Sequence, residues 1–228
     1  DNLHRGGGKL PAGTHLQYHN VYGFLMVKAS REGILDARPE KRPFILTRSN
    51  FLGGQRYAAT WTGDNGSCWD HLKMSVPMSL TLGLSGQPFS GADIGGFLFN
   101  ADADLFGNWI GFGAFYPFAR GHACAGTNNK EPWVFGQKVE DASRIALERR
   151  YILPYFYTLL HEASTNGMPI MRPVFFSDPK DLSLRAEEEA FLVGDNLLII
   201  PAFANQPALP KGIWKELSLV EGDQNDKY

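Results

Sequence analysis

Three polar side chains recur at equal intervals along the middle of the chain. Asp64 and Asp93 lie 29 residues apart, and His122 follows after another 29 residues. Each carboxylate ends a short run of small or β-branched residues, Ala-Ala-Thr-Trp-Thr-Gly-Asp and Gly-Ala-Asp. Carboxylates and imidazoles are common proton-transfer groups in enzymes. We therefore expect the three side chains to line one pocket, with Asp64 suited to acid–base chemistry.

The spacing matches one strand–helix unit, and a (β/α)-barrel presents its catalytic residues at successive strand ends in this way. Arg56, eight residues before Asp64, is expected to hold that carboxylate or a hydroxyl of a ligand. For each residue taken alone, another interpretation stays open. Asp64 and Asp93 also suit a turn or a helix cap, His122 suits a structural role, and Arg56 suits the surface.

The composition indicates a folded, globular chain. Of the 228 residues, 43% are hydrophobic and 20% are charged, a balance that differs from that of disordered chains. The net charge of −2 gives no reason to expect nucleic acid or an anionic membrane as a partner. No apolar run approaches the roughly 18–20 residues that a membrane span needs.

Neither a metal nor another cofactor is expected. Cys68 and Cys124 are the only cysteines, which excludes a disulfide framework and a four-cysteine zinc site. We expect no metal site of the Cys-x-x-Cys, His-x-His or His-x-x-x-His type, and the chain contains no Gly-x-Gly-x-x-Gly or Walker-type phosphate loop. The absence of Gly-x-Ser-x-Gly disfavours a serine hydrolase.

Hydrophobic periodicity predicts four strand–helix units between about residues 20 and 167. The glycine-rich residues 1–19 are predicted to form a loop, with Asn20 as the N-cap of the first helix. The predicted strands lie at 43–48, 57–62, 88–93 and 116–120, and the predicted helices at 20–36, 67–84, 105–115 and 139–164. Beyond Pro169, short β-rich runs predict an antiparallel domain; they lie at 170–176, 191–193 and 197–203.

Alternating strands and helices indicate an α/β fold. Residues 1–167 are expected to form half of a (β/α)8 barrel, and residues 168–228 the beginning of a C-terminal β domain. A complete barrel needs eight strand–helix units, and four are present. Half a barrel leaves sheet edges and a core face uncovered. We therefore expect the chain to be part of a longer protein, with the missing N-terminal half of the barrel as its partner.

The chain resembles glycoside hydrolase family 31 in four motifs that follow one another in the family's order. They are residues 53–65 (Gly-Gly-Gln-Arg-Tyr-Ala-Ala-Thr-Trp-Thr-Gly-Asp-Asn), 91–97 (Gly-Ala-Asp-Ile-Gly-Gly-Phe), 115–122 (Phe-Tyr-Pro-Phe-Ala-Arg-Gly-His) and 131–133 (Glu-Pro-Trp). The resemblance extends from about Tyr18 to about Trp214. Within the family it is similar to α-glucosidases of the glucosidase II and plant heteroglycan-glucosidase kind.

The resemblance implies a role for each residue that matches a family motif. Asp64 corresponds to the general acid/base, and Asp93 to the residue that binds sugar hydroxyls in the −1 subsite. Arg56 and His122 correspond to further groups that bind the −1 glucose. Two aromatic residues correspond to the apolar walls of the subsite: Trp61 and Phe97.

The family nucleophile is an Asp in a Trp-x-Asp-Met-Asn-Glu segment, and no such segment occurs here. The resemblance therefore implies strands five to eight of a TIM barrel, followed by the start of an antiparallel β-sandwich. The implied activity is that of a retaining exo-α-glucosidase. It would release glucose from the non-reducing ends of α-glucosides or oligosaccharides, without a cofactor. The isolated chain, lacking the nucleophile, is expected to be inactive.

Two other interpretations remain open. One is an α-xylosidase or α-1,4-glucan lyase of the same family, and the other is a non-catalytic, carbohydrate-binding proteolytic fragment. Turnover of p-nitrophenyl α-glucoside separates them. The one glycosylation sequon, Asn65-Gly66-Ser67, adjoins Asp64. A glycan there would block the pocket, which favours an intracellular location over a eukaryotic secretory lumen.

Overall fold

The computed structural model describes residues 2–148 and 152–217. These residues form two compact units, one that ends at Trp61 and one that begins at Thr62. Among the described residues, no helix combines the length and the apolar character needed to cross a bilayer.

The first unit contains one long helix and two small sheets. Its elements are β1 (Leu3–His4), β2 (Gly13–Thr14), α1 (His15–Ala37), β3 (Leu46–Thr47), a 3-10 turn (Gly54–Arg56) and β4 (Ala59–Thr60). Strands β1 and β2 pair antiparallel, whereas β3 and β4 pair parallel. Helix α1 passes so close to the end of β3 that a Cβ on Gly23 would lie 2.5 Å from the carbonyl oxygen of Ser49. The two strands are parallel, as in the predicted (β/α)8 half-barrel, but a 3-10 turn rather than a helix connects them.

Helix α1 begins earlier than the sequence analysis predicted. The backbone N–H of Thr14 donates to Oε1 of Gln17 at 2.9 Å, which is part of the capping box that a Thr-x-x-Gln pattern forms at a helix start. The prediction that residues 1–19 are a loop, with Asn20 as the N-cap, is therefore wrong. Strands β1 and β2 and the first turn of α1 occupy much of that stretch.

The second unit begins with further alternating helices and strands. Its elements up to residue 166 are α2 (Trp69–Leu84), β5 (Asp93–Ile94), α3 (Ala103–Gly113), β6 (Arg120–Gly121), a 3-10 turn (Pro132–Phe135), α4 (Gln137–Leu147) and α5 (Leu153–Asn166). Strands β5 and β6 pair parallel, with Asp93 opposite Arg120. The N–H of Thr62 donates to the carbonyl oxygen of Gly91 at 3.2 Å. The segments that start at Thr62, Gly91 and Arg120 therefore lie side by side.

The strands are shorter than predicted. Each of the strands β3 to β6 has two residues, and the described residues form small sheets rather than a closed barrel. The helices agree better, because α2 and α3 lie within two residues of the predicted ranges. Their apolar faces share one core, to which α2 contributes Leu72, Val76 and Leu80 at four-residue spacing. Each such side chain contributes about 1.5–3 kcal/mol by its burial.

The single helix predicted at 139–164 is wrong. Helix α4 ends at Leu147, and α5 begins at Leu153 with Pro154 in its first turn. A proline lacks the N–H that a helix interior needs, but it is tolerated in the first turn. The end of α5 is as predicted, since Gly167 adopts a left-handed conformation with φ of 81°.

A three-stranded antiparallel sheet follows, which confirms the predicted change of architecture. It consists of β7 (Met171–Pro173), β8 (Phe191–Val193) and β9 (Leu197–Ile199). Arg172 on β7 is only 1% exposed. Its Nη2 donates to Oε2 of Glu162 on α5 at 2.8 Å, and its Nη1 pairs with Asp195 in the turn between β8 and β9. Through these ion pairs, the buried guanidinium of Arg172 joins the sheet to the preceding helix.

Candidate active site

Asp93 is the most buried carboxylate among the candidate residues. It begins β5, and its side chain is 1% exposed. The Nε and Nη2 atoms of Arg120, on the neighbouring strand β6, donate to Asp93 Oδ1 at 2.9 and 2.7 Å. Among the residues that the structure describes, Oδ2 of Asp93 is buried and has no hydrogen-bond partner. One oxygen is thus held by protein, and the other is left to accept a hydrogen bond from a ligand.

Burial and several charged groups act on the pKa of Asp93. Burial raises the pKa of Asp93 above its ordinary value, and the negative charge of Asp64 adds to that rise. The hydrogen bond and charge of Arg120 oppose the rise in pKa, as does the charge of His122. The charges that act on the pKa of Asp93 are thus those of Arg120, which binds it directly, and of His122 and Asp64.

The loop that carries Asp64 is fastened to this site through its next residue. Asp64 itself is exposed and follows Gly63, whose φ is 95°. The Nδ2 atom of Asn65 donates to the carbonyl oxygen of Asp93 at 3.1 Å. The carbonyl oxygen of Asn65 accepts from the backbone N–H of Phe97 at 2.7 Å. A glycan on Asn65 would therefore require its amide nitrogen to leave a hydrogen bond inside the site.

Phe97 and His122 form a stacked pair. Their ring centroids are 5.0 Å apart, with an angle of 20° between the planes. Phe97 is half-buried and His122 is exposed. The carbonyl oxygen of Phe97 accepts from the backbone N–H of Cys124 at 3.0 Å, which ties the segment after β6 to the Phe97 segment. The pair offers an apolar face beside a hydrogen-bonding imidazole.

The glycines around Asp93 face protein rather than a ligand. A Cβ on Gly91 would lie 2.0 Å from the carbonyl oxygen of Phe118, and one on Gly96 would lie 2.6 Å from the backbone of Ser67. The neighbours prove to be the next strand and the Asp64 loop, so the glycines serve strand packing.

Arg56 and Trp61 belong to the first unit. Arg56 ends a 3-10 turn, is exposed, and donates from Nε to the carbonyl oxygen of Gly53 at 3.0 Å. Its guanidinium lies over the ring of Tyr57, 5.3 Å from the centroid. Trp61 directly follows β4 and is half-buried. Their convergence on the sugar pocket stays a prediction.

Two residues of the site were missed by the sequence analysis. Arg120 stands two positions before His122, and side chains two apart in a strand share a face, so a signal was present. Lys130 is 8% exposed and donates from Nζ to the carbonyl oxygen of Gly96 at 2.7 Å. It lies in the polar run Thr-Asn-Asn-Lys, whose composition resembles an ordinary surface loop. No local pattern distinguishes it.

A histidine pair in the first unit was also overlooked. His15 and His19 are four residues apart on α1, a spacing that zinc-binding helices use. His4 approaches His15, with Nε2 and Nδ1 3.0 Å apart. Among residues 2–148 and 152–217, however, no group of three or more potential ligands has the geometry to hold a metal ion.

Two family models match consecutive parts of the chain. "Glycosyl hydrolases family 31 TIM-barrel domain" matches residues 3–159, which is more than half of the chain. The chain belongs to glycosyl hydrolase family 31. The model "Glycosyl hydrolase family 31 C-terminal domain" matches residues 167–227. Along the chain, the match to the family's TIM-barrel domain thus precedes the match to its C-terminal domain, and the resemblance stated from the motifs is confirmed.

Two similar proteins of family 31 are glucosidases. A "Probable glucan 1,3-alpha-glucosidase" of Oryza sativa subsp. japonica is 51% identical over 186 residues, which are 81% of this chain and 20% of the rice protein. The crystal structure of a family 31 α-glucosidase from Bacteroides thetaiotaomicron is 93% identical, with a TM-score of 0.83, over 92% of this chain and 35% of that one.

A further solved structure is that of a glucosidase II α subunit in a DNJ-bound form. It is 38% identical to the family 31 chain, with a TM-score of 0.80, over 85% of this chain and 21% of that one. The chain therefore spans between about a fifth and a third of the length of these three proteins.

Proposed function

We propose that this chain supplies the general acid/base and most of the sugar-binding groups of a retaining exo-α-glucosidase. The observation that carries the proposal is the convergence on Asp93. Asn65, the residue after Asp64, donates to the carbonyl oxygen of Asp93, and Arg120 binds one of its carboxylate oxygens. His122 stacks on Phe97, four residues after Asp93. The names of the similar proteins support an α-glucoside as substrate. No cofactor is needed for this chemistry.

In the proposed reaction, Asp64 protonates the leaving oxygen and then deprotonates the water that releases glucose. Its exposed position on a loop suits a group that must reach the leaving oxygen. A retaining mechanism needs a second carboxylate about 5–5.5 Å away as the nucleophile. We propose that residues 1–167 correspond to strands five to eight of the barrel. The nucleophile would then come from the strand that precedes them in the family.

The remaining groups would bind the sugar ring in the −1 subsite. Oδ2 of Asp93 is the buried acceptor proposed for sugar hydroxyls, while Arg120 holds the carboxylate in place. The stacked rings of Phe97 and His122 would provide an apolar wall and a hydrogen-bonding edge. For Arg56 and Trp61, a role in sugar binding is proposed from their positions in the family motif.

Leaving-group dependence tests the role of Asp64. In the protein that contains residues 1–228, Asp64→Ala is expected to slow the cleavage of maltose by about 10²–10⁴-fold. Cleavage of p-nitrophenyl α-glucoside should suffer far less, because p-nitrophenolate leaves without protonation. Azide should restore part of the rate. A parallel series uses a chimera in which these residues replace the matching segment of the Bacteroides enzyme.

The matched control is Asp70→Ala, which removes another exposed carboxylate from the first turn of α2. Its rates should stay within a factor of about two, since such a group contributes under 1 kcal/mol. Equal losses on both substrates for Asp64→Ala, with no azide effect, would contradict the acid/base role. A chimera that cleaves neither substrate would contradict the proposed activity.

A further inference from the structure

Lys130 is a buried lysine whose three donors all meet oxygen atoms. It is 8% exposed, and lysine is rarely buried unless its charge is satisfied. Its Nζ donates to Ser67 Oγ at 2.8 Å, to the carbonyl oxygen of Gly96 at 2.7 Å and to that of Phe97 at 3.3 Å. An ammonium has three N–H donors, so this environment uses its full capacity.

The three oxygens belong to two loops of the candidate site. We name residues 63–67 the acid loop, because it carries Asp64, and residues 95–98 the wall loop, because it carries Phe97. The loops also touch directly. The N–H of Ser67 donates to the carbonyl oxygen of Leu98 at 2.8 Å, and the wall loop donates back to Asn65. Lys130 thus binds both loops at the point where they meet.

The positive charge of Lys130 interacts with Asp93 and with the backbone of the wall loop. Burial lowers the pKa of Lys130, and the negative charge of Asp93 opposes that change. Removing the ammonium would leave the carbonyl oxygen of Gly96 without this donor in a buried position, and a buried acceptor that loses its partner is costly. The loops would then shift until water or another donor reached that oxygen.

We propose that Lys130 is a positioning residue that holds the acid loop against the wall loop, so that proton transfer by Asp64 depends on it. The inference rests on the proposed function, because it assigns Asp64 the acid role. This role requires no contact of Lys130 with Asp64 or with the substrate. It fixes where the acid stands relative to the sugar ring.

The kinetic test compares Lys130→Met with Lys138→Met in the protein that contains residues 1–228. Lys138 is exposed on α4 and serves as the matched control. Since misplacing a reacting group by about 1 Å costs up to about 10²-fold, Lys130→Met should lower kcat for maltose by about 10–100-fold. The KM for maltose should change by less than about threefold. The kcat for p-nitrophenyl α-glucoside should fall less than the kcat for maltose. Lys130→Arg, which keeps charge and donors, should recover part of kcat.

A second measurement does not depend on activity. Hydrogen–deuterium exchange of peptides that cover the acid loop and the wall loop should speed up at least about tenfold in Lys130→Met and stay unchanged in Lys138→Met. If Lys130→Met fails to fold, Ser67→Ala removes the acid-loop oxygen that Lys130 binds, and it should show the same changes at smaller size. Unchanged exchange in both loops would overturn the inference.

The two measurements separate the inference from the function it rests on. If the protein does not cleave α-glucosides, but hydrogen exchange in the two loops speeds up in Lys130→Met, the proposed function is contradicted. The inference that Lys130 holds the two loops together then still stands. Cleavage with equal losses in kcat on both substrates, or a loss confined to KM, would overturn the positioning role while the function stands.

Discussion

Removing the Arg120 guanidinium is expected to destabilise the fold, and to do so more at high pH than at low pH. Two N–H groups of Arg120 donate to Asp93 Oδ1, at 2.9 and 2.7 Å, and the carboxylate is 1% exposed. Arg120→Met keeps the apolar stem and removes the charge. Breaking a buried ion pair from one side costs about 3–5 kcal/mol, because the remaining charge is left buried without compensation.

The pH dependence follows from the pKa of Asp93. Burial already raises this pKa, and Arg120 opposes the rise, so the variant should have a still higher folded-state pKa. A carboxyl whose pKa is higher in the folded state binds more protons when folded. Stability therefore falls as pH rises from the unfolded pKa of about 3.9 to the folded pKa. The slope is at most about 1.4 kcal/mol per pH unit.

Urea unfolding at several pH values between about 4.5 and 8 measures this effect. The free-energy deficit of Arg120→Met relative to the parent should be smallest at the lowest pH and grow as pH rises. The control is Arg144→Met on α4, where the exposed pair with Asp141 spans 3.2 Å; it should cost about 0–1 kcal/mol with little pH dependence. A deficit no larger than the control, or one that shrinks as pH rises, would refute this account of Asp93.

Two further substitutions test the packing around the site. Gly91→Ala should lower the free energy of unfolding by about 3 kcal/mol or more, because its Cβ would lie 2.0 Å from the carbonyl oxygen of Phe118. Gly111→Ala on α3 is the control, since a Cβ there meets nothing within 4 Å. It should raise the free energy of unfolding by up to about 1 kcal/mol. Thermal melts compare the two, and equal shifts would contradict the packing argument. Tyr116→Phe should cost about 1–3 kcal/mol, because it removes a buried 2.6 Å hydrogen bond to Ser75; a urea midpoint equal to the parent's would show that this bond is dispensable.

Local sequence patterns were sufficient to predict an element where that element's own residues determine its boundaries. Helices α2 and α3 were predicted within two residues, because their apolar faces repeat at helical spacing. The end of α5 followed from Gly167. The start of α1 was missed although Thr14 and Gln17 carried the capping signal, because Asn20 offered a second plausible cap. Pro154 likewise signalled the break between α4 and α5, and the strong periodicity on either side obscured it.

Tertiary roles were less accessible from the sequence. The equal spacing brought Asp64, Asp93 and His122 into one hypothesis, and their joint role in one sugar pocket stays a prediction. Lys130 could not be found this way, because its three acceptors lie more than thirty residues earlier in the chain. Strand lengths were overestimated, because the apolar runs extend beyond the strands into the adjoining turns. The hydrophobic pattern does not mark the boundary between strand and turn.

The ion pairs of the buried Arg172 side chain decide where the chain can be divided into separate pieces. Its guanidinium lies in the sheet, while one of its carboxylate partners, Glu162, comes from the helix that precedes it. Cutting the chain between α5 and β7 would leave a buried cation without Glu162 on one piece, and would expose the helix face that covered it on the other. The C-terminal sheet is therefore not an interchangeable module. Domain shuffling and truncation should keep α5 with the sheet, and a graft that separates them must replace Arg172 with an apolar residue.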